Sequence, residues 1–178
     1  MDFDLPNALA LLSHTPPALN ALLRHLPESW TLRNEGKNTM TPFDVIGHLV
    51  HLEKTNWMQR TTIILQWGET QAFPPVDRAE FAKGSTLPHL LDEFASLRSQ
   101  NLDALLELNL QPADLAKRGR HPNFGPVTLS QLLATWTAHD MTHLHQISRT
   151  LAHQYRDAVG PWVKFLGVLH CEGHSEPA

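Results

Sequence analysis

The chain has 178 residues, 42% of them hydrophobic, enough to bury a substantial core and best suited to one domain spanning 1–178. A formal net charge of -4 and a pI near 6.3 offer no basic block to neutralise phosphates, so nucleic acid is not an expected partner. One cysteine, Cys171, excludes an intrachain disulfide, no apolar run approaches the ~20 residues of a membrane span, and the first residues lack a basic, apolar leader, so a cytoplasmic protein with no membrane contact is expected.

Apolar residues recur with a helical period almost throughout, and strand alternation is nearly absent. Leu5 to Leu12 predicts a short helix that Pro16-Pro17 break, with a second piece restarting through Leu26, because proline disrupts a helix interior but fits a first turn. Thr41-Pro42-Phe43-Asp44 supplies an N-cap, a proline at the first helical position and an acid at the third. This opens a helix to about Trp67 and makes Asp44 a capping residue rather than a ligand. Ala72 to Ser85, with Pro74-Pro75, reads as a loop, and Thr86 begins a helix to about Leu108. The segment GRHPNFGP, residues 119–126, reads as another loop. Thr128 and Gln131 form a capping box, opening a helix to about Tyr155, and a last short helix begins near Gly160-Pro161. The tail 171–178 is expected to be mobile. The fold class is therefore all-α: a four-helix bundle, up-and-down or crossover, with short extra helices at the N- and C-terminal ends.

The segment TWTAHDMTHLHQISRT carries three histidines within the last long helix. At about 100° per residue, His143 lies about 40° from His139 and Gln146 about 20° to the other side, whereas His145 points elsewhere. Leu132, Trp136, Ile147 and Thr150 share the face of His139 and His143, so the two imidazoles project from the stripe that enters the bundle. Histidines four apart on one helix can converge on a single ion, although the spacing alone is a weak signal and two hydrogen-bonded core histidines are its plainer reading. His48 shifts the balance. It falls on an inward stripe of the second helix with Val45, Leu52, Thr55, Gln59 and Ile63. Three imidazoles pointing into one interior cost more to bury unpaired than to bury on a cation they all ligate. Three protein ligands would leave positions open for water or substrate, as in catalytic rather than structural zinc-type sites.

Other polar residues take lesser roles. His51, one turn from His48, reads as half-exposed at a cavity rim. Gln146 either orients a bound molecule or hydrogen-bonds a neighbouring helix. Asp140 points about 100° away from His139 and takes a supporting or structural role. Nothing near Cys171 marks it as a nucleophile, although His170 and His174 beside it give the tail some capacity to bind stray metal. Ile46, Val50, Glu53, Trp57, Arg60 and Ile64 form a second apolar face, away from His48, in which Glu53 pairs with Arg60. Either another element or a second subunit covers it, and a homodimer is the expectation.

TPFDVIGHLVHLEKTNWMQR, VTLSQLLATWTAHDMTHLHQI, the HPNFGPVTL loop and YRDAVGPW together resemble the DinB-like superfamily of bacterial four-helix bundles over nearly the whole chain. The resemblance implies a divalent metal, often zinc or nickel, held by His48, His139 and His143 with water completing the coordination. It also implies a small-molecule substrate and, in some relatives, a low-molecular-weight thiol cosubstrate for transfer or isomerisation; many others are uncharacterised hydrolase candidates. The expectation is a metal-dependent hydrolase or thiol transferase, with a metal- or small-ligand-binding bundle that turns nothing over as the alternative.

Overall fold

A computed structural model describes residues 3–75 and 84–170. The tail beyond His170, with Cys171 and His174, and the middle of the 72–85 loop lie outside them. Among the described residues, seven α-helices and one hairpin are formed: α1 (Leu5–Leu23), α2 (Glu28–Thr31), α3 (Pro42–Thr55), α4 (Trp57–Trp67), α5 (Leu87–Glu107), α6 (Pro112–Leu115), β1 (Arg118–His121), β2 (Gly125–Thr128) and α7 (Leu129–His153). Two 3-10 segments, Gly160–Phe165 and Gly167–Leu169, stand where a last short helix was expected.

The helix starts follow their caps. The Thr41 hydroxyl accepts from the Asp44 amide at 3.1 Å while the Asp44 carboxylate accepts from the Thr41 amide at 3.0 Å. Thr128 and Gln131 make the same reciprocal pair at 3.1 and 2.8 Å, and Thr86 caps α5. Each pair satisfies amides that a helix start would otherwise leave open.

Two expectations about continuity are corrected. α1 runs unbroken through Pro16 and Pro17, so the predicted split, with its separate N-terminal helix, does not occur. Proline at position 16 cannot donate to the Leu12 carbonyl one turn earlier. That carbonyl instead accepts from Nη1 of Arg98 in α5 at 2.8 Å, so the lost bond is replaced from another helix. The second helix, expected unbroken to Trp67, is interrupted at Asn56 (φ -118°, ψ -66°). Thr55, just before the interruption, and Gln59, after it, were expected on the inward stripe and are exposed, whereas Ile63 of the same stripe is buried.

The 119–126 loop is a hairpin instead, pairing Arg118 with Thr128 and His121 with Gly125. Strands of four residues are too short to display an alternating pattern. Gly119 is required there by close approach, since a Cβ would stand 2.7 Å from the Ile64 side chain and 2.9 Å from the Phe73 ring.

α5 and α7 each pack against both α1 and α3, which places α1 and α3 across the diagonal. α1 and α3, and likewise α5 and α7, follow one another along the chain without packing side by side, and the crossover form of the bundle is the one adopted. Residues 24–41, with α2, and residues 108–128, with α6 and the hairpin, make the two long crossings. The core has two halves. Trp57, Trp136, Leu102, Leu105 and Leu133 fill one, and Leu19, Ile46, Leu49, Phe94 and Ile147 fill the other.

The second face of the His48 helix is covered within the chain: Ile46, Val50, Glu53, Trp57, Arg60 and Ile64 are all buried. The surface on which the homodimer was expected is thus filled by the bundle itself. Glu53 pairs with Arg98 rather than Arg60, and the Arg60 guanidinium lies over the Phe73 ring at 5.1 Å. Among the described residues, no helix is long and apolar enough to cross a membrane.

Candidate metal centre

His48 enters from α3, and His139 and His143 from successive turns of α7. The three residues each present one ring nitrogen to a common point, all within 4.8 Å of one another. Nε2 of His139 stands 3.3 Å from Nε2 of His48 and 3.1 Å from Nε2 of His143. His143 is buried and the other two are partly so, while His145 is exposed, as its helical angle required. His51 is half-buried beside the group.

Gln146 is one turn beyond His143, and its Oε1 accepts from Nδ1 of that ring at 2.8 Å. That bond places the His143 proton on Nδ1 and its lone pair on Nε2, toward the other two rings. Nδ1 of His139 is buried with no hydrogen-bond partner among the described residues. The His139 ring meets the Trp57 ring edge to face at 5.3 Å, and Trp57 stacks on Trp136 at 5.6 Å with 9° between the planes.

Electrostatics keep these imidazoles neutral. Burial, then the neighbouring His143 and His51 rings, push His48 down to about 4. Burial, then His143, His48 and Arg98, push His139 down to about 2. His143 is lowered by burial, against which Gln146 and Asp140 pull upward. Unfolded histidines take their protons near pH 6.5, well above the folded His48. Between about pH 6.5 and 4 the unfolded chain therefore binds more protons, and stability falls as pH drops through that window. For His48 alone the loss is on the order of 3 kcal/mol. Urea denaturation of metal-stripped protein at stepped pH should show the midpoint decline across this range, and a flat midpoint would contradict the burial of these rings.

A polar cluster lies beside the histidines, between the two halves of the core. The Arg98 guanidinium uses all five of its N–H groups: Nε and Nη2 donate to Glu53 Oε1 at 3.1 and 2.8 Å, Nη1 and Nη2 to the Asp140 oxygens at 2.6 and 3.0 Å, and Nη1 to the Leu12 carbonyl at 2.8 Å. Glu53 Oε1 also accepts from Trp136 Nε1 at 3.1 Å, and Oε2 from Asn101 Nδ2 at 2.8 Å. The guanidinium plane is near the Phe94 and Trp136 rings, at 4.9 and 5.2 Å. Asp140 thus has the structural role expected of its helical angle. Arg98 was missed. Its signal was available, because it interrupts the buried run Leu90, Leu91, Phe94, Leu102 and Leu105 at a position in phase with it.

The comparisons agree with this architecture. A structure similar to this one at a TM-score of 0.70 is that of YfiT from Bacillus subtilis, a probable metal-dependent hydrolase with an unusual four-helix bundle topology; it shares 19% sequence identity, and the match covers 87% of each chain. At that identity the likeness speaks for the fold. No curated protein matches the sequence. The family model of the DinB superfamily matches residues 11–147, which include every histidine of the cluster and the whole Arg98 network, and the chain belongs to that superfamily.

Proposed function

We propose that the chain is a metal-dependent enzyme acting on a small molecule, with the ion held by Nε2 of His48, His139 and His143. The observation that carries this reading is the convergence of the three nitrogens. Ligands about 2.0–2.1 Å from a tetrahedral zinc stand about 3.3 Å from each other. Two of the three separations, 3.1 and 3.3 Å, match that edge, and all three nitrogens lie within 4.8 Å of one another. Burial holds the rings in the unprotonated form that ligates, and Gln146 aims the His143 lone pair at the shared point. Imidazole donors suit zinc and nickel.

Bound there, a divalent ion would supply Lewis acidity, lowering the pKa of a water or a low-molecular-weight thiol. The protein's part is to hold three neutral donors in place; among the described residues no fourth ligating side chain is grouped with them, which leaves the remaining positions to water or substrate. Hydrolysis is favoured by the fold shared with YfiT, a probable metal-dependent hydrolase. Thiol transfer remains the second branch, through the family resemblance.

Metal-stripped protein should turn over neither ester or amide substrates nor thiol acceptors, and added zinc or nickel should restore one of these activities. Cys171→Ser should retain it, since no side-chain nucleophile is required. Turnover that survives complete metal removal would overturn the mechanism. Tight metal binding without turnover in either screen would assign the chain a binding role instead.

A further inference from the structure

We propose that the Arg98 cluster positions the three-histidine site by fixing how α7 stands along α3; this rests on the reading that the histidines hold a metal. His139 and His143 occupy one helix, so the helix itself sets their spacing. The distance from His48 to that pair is different in kind. It depends on how two separate helices dock, and apolar packing between them is non-directional. A slide of α7 along α3 by ~1 Å would cost the aliphatic contacts little, yet it would take Nε2 of His48 out of reach of an ion held by the other two.

The cluster supplies the missing directionality. Glu53, five residues after His48 on α3, accepts from Nε1 of Trp136, three residues before His139 on α7, at 3.1 Å. Arg98 bridges the same Glu53 to Asp140, the residue between His139 and Met141, through four hydrogen bonds of fixed fork geometry. Both ties join the two histidine-bearing helices within about two turns of the imidazoles. A third link is made of rings: Trp136 stacks on Trp57, whose ring makes a T-shaped contact with His139. Because Arg98 itself belongs to α5 and also holds the Leu12 carbonyl of α1, the register is referred to all four long helices. None of these residues is among the three that would touch the ion. They act through its ligands, and Arg98, Glu53, Trp136 and Asp140 are positioning residues.

The test uses untagged, full-length protein and cobalt(II) as the probe, reading both affinity by competition titration and the ligand-field absorption spectrum. Trp136→Phe keeps an aromatic ring against Trp57 and removes the N–H to Glu53 together with the volume of the second ring. Arg98→Lys keeps the charge and removes the fork. Leu19→Ala, a buried α1 residue in the half of the core away from Trp136, is the comparison for stability loss alone. Trp136→Phe and Arg98→Lys should remain helical by circular dichroism, bind cobalt(II) about 10- to 100-fold more weakly, and show shifted ligand-field bands. Leu19→Ala should lower the melting temperature and leave affinity and bands as in wild type. Wild-type affinity and spectrum in both cluster variants would overturn the positioning role. A wild-type protein that takes up no cobalt(II) would overturn the metal reading, and this inference with it, which is a different result and easily told apart.

Discussion

Arg98→Met is expected to be among the most damaging single substitutions available in this chain. Methionine fits the volume of the arginine stem but offers no donor. Glu53 and Asp140, with side chains about 1% exposed, would then face each other across the space that the guanidinium fills, with neither water nor counter-charge to neutralise them. Removing one partner from a buried ionic group costs about 3–5 kcal/mol, because a charge is left uncompensated. Here two carboxylates are stranded. The Leu12 carbonyl, which Pro16 cannot satisfy, also loses the donor that Arg98 supplies, at about 1–3 kcal/mol. Against a total stability of about 5–15 kcal/mol, this leaves the chain largely unfolded or barely folded at room temperature. Urea denaturation followed by tryptophan fluorescence and circular dichroism would read it directly. The loss should be strongly non-additive. Adding Glu53→Gln and Asp140→Asn to Arg98→Met removes the stranded charges and should recover part of the stability. A variant within about 1 kcal/mol of wild type would mean that the ions do not stabilise the bundle in this way.

Alanine at His48, His139 or His143 should empty the proposed metal site, each singly. Zinc sites with four ligands bind with about 10–16 kcal/mol, so one ligand accounts for roughly 3 kcal/mol, or about a hundredfold in affinity. Elemental analysis of protein purified without a histidine tag should find about one divalent ion per chain in wild type and in His145→Ala, whose side chain is exposed and turned away. The three site variants should fall well below that. Gln146→Ala should be intermediate, since it releases the His143 tautomer and removes no ligand. Equal metal in all four histidine variants would sink the assignment.

Features decided by local chemistry were legible in the sequence. Thr41, Thr86 and Thr128 begin their helices where an N-cap side-chain oxygen predicts, reinforced by Asp44 and Gln131 three residues after the first and last, because capping depends only on neighbours along the chain. The helical period alone separated His139 and His143 from His145. What failed depended on distant partners. Pro16 looks like a helix breaker until Arg98, 86 residues from Leu12, takes the vacated carbonyl. Glu53 looks like a partner for Arg60, two turns along the same face, until α5 brings a guanidinium against it. The interruption at Asn56 carries no glycine or proline to announce it, and Thr55 and Gln59, the two residues of the predicted inward stripe nearest to it, lie at the surface. The second apolar face was correctly identified as needing cover; that the cover came from the same chain depended on the diagonal placement of α1 and α3, which no periodicity encodes.

The wide sequence separation within the ionic cluster also shapes the order of events when the chain folds. Its bonds join residues 42 to 86 positions apart and draw on all four long helices. While any one helix is absent, the remaining ions are better solvated by water than by one another. The cluster therefore closes late, after helices and aliphatic contacts have formed, and contributes little to the transition state for folding. Interactions missing from that transition state act on the unfolding rate. The charge network is thus a latch on escape from the native state: weakening it should leave refolding almost as fast as before while shortening the lifetime of the folded protein.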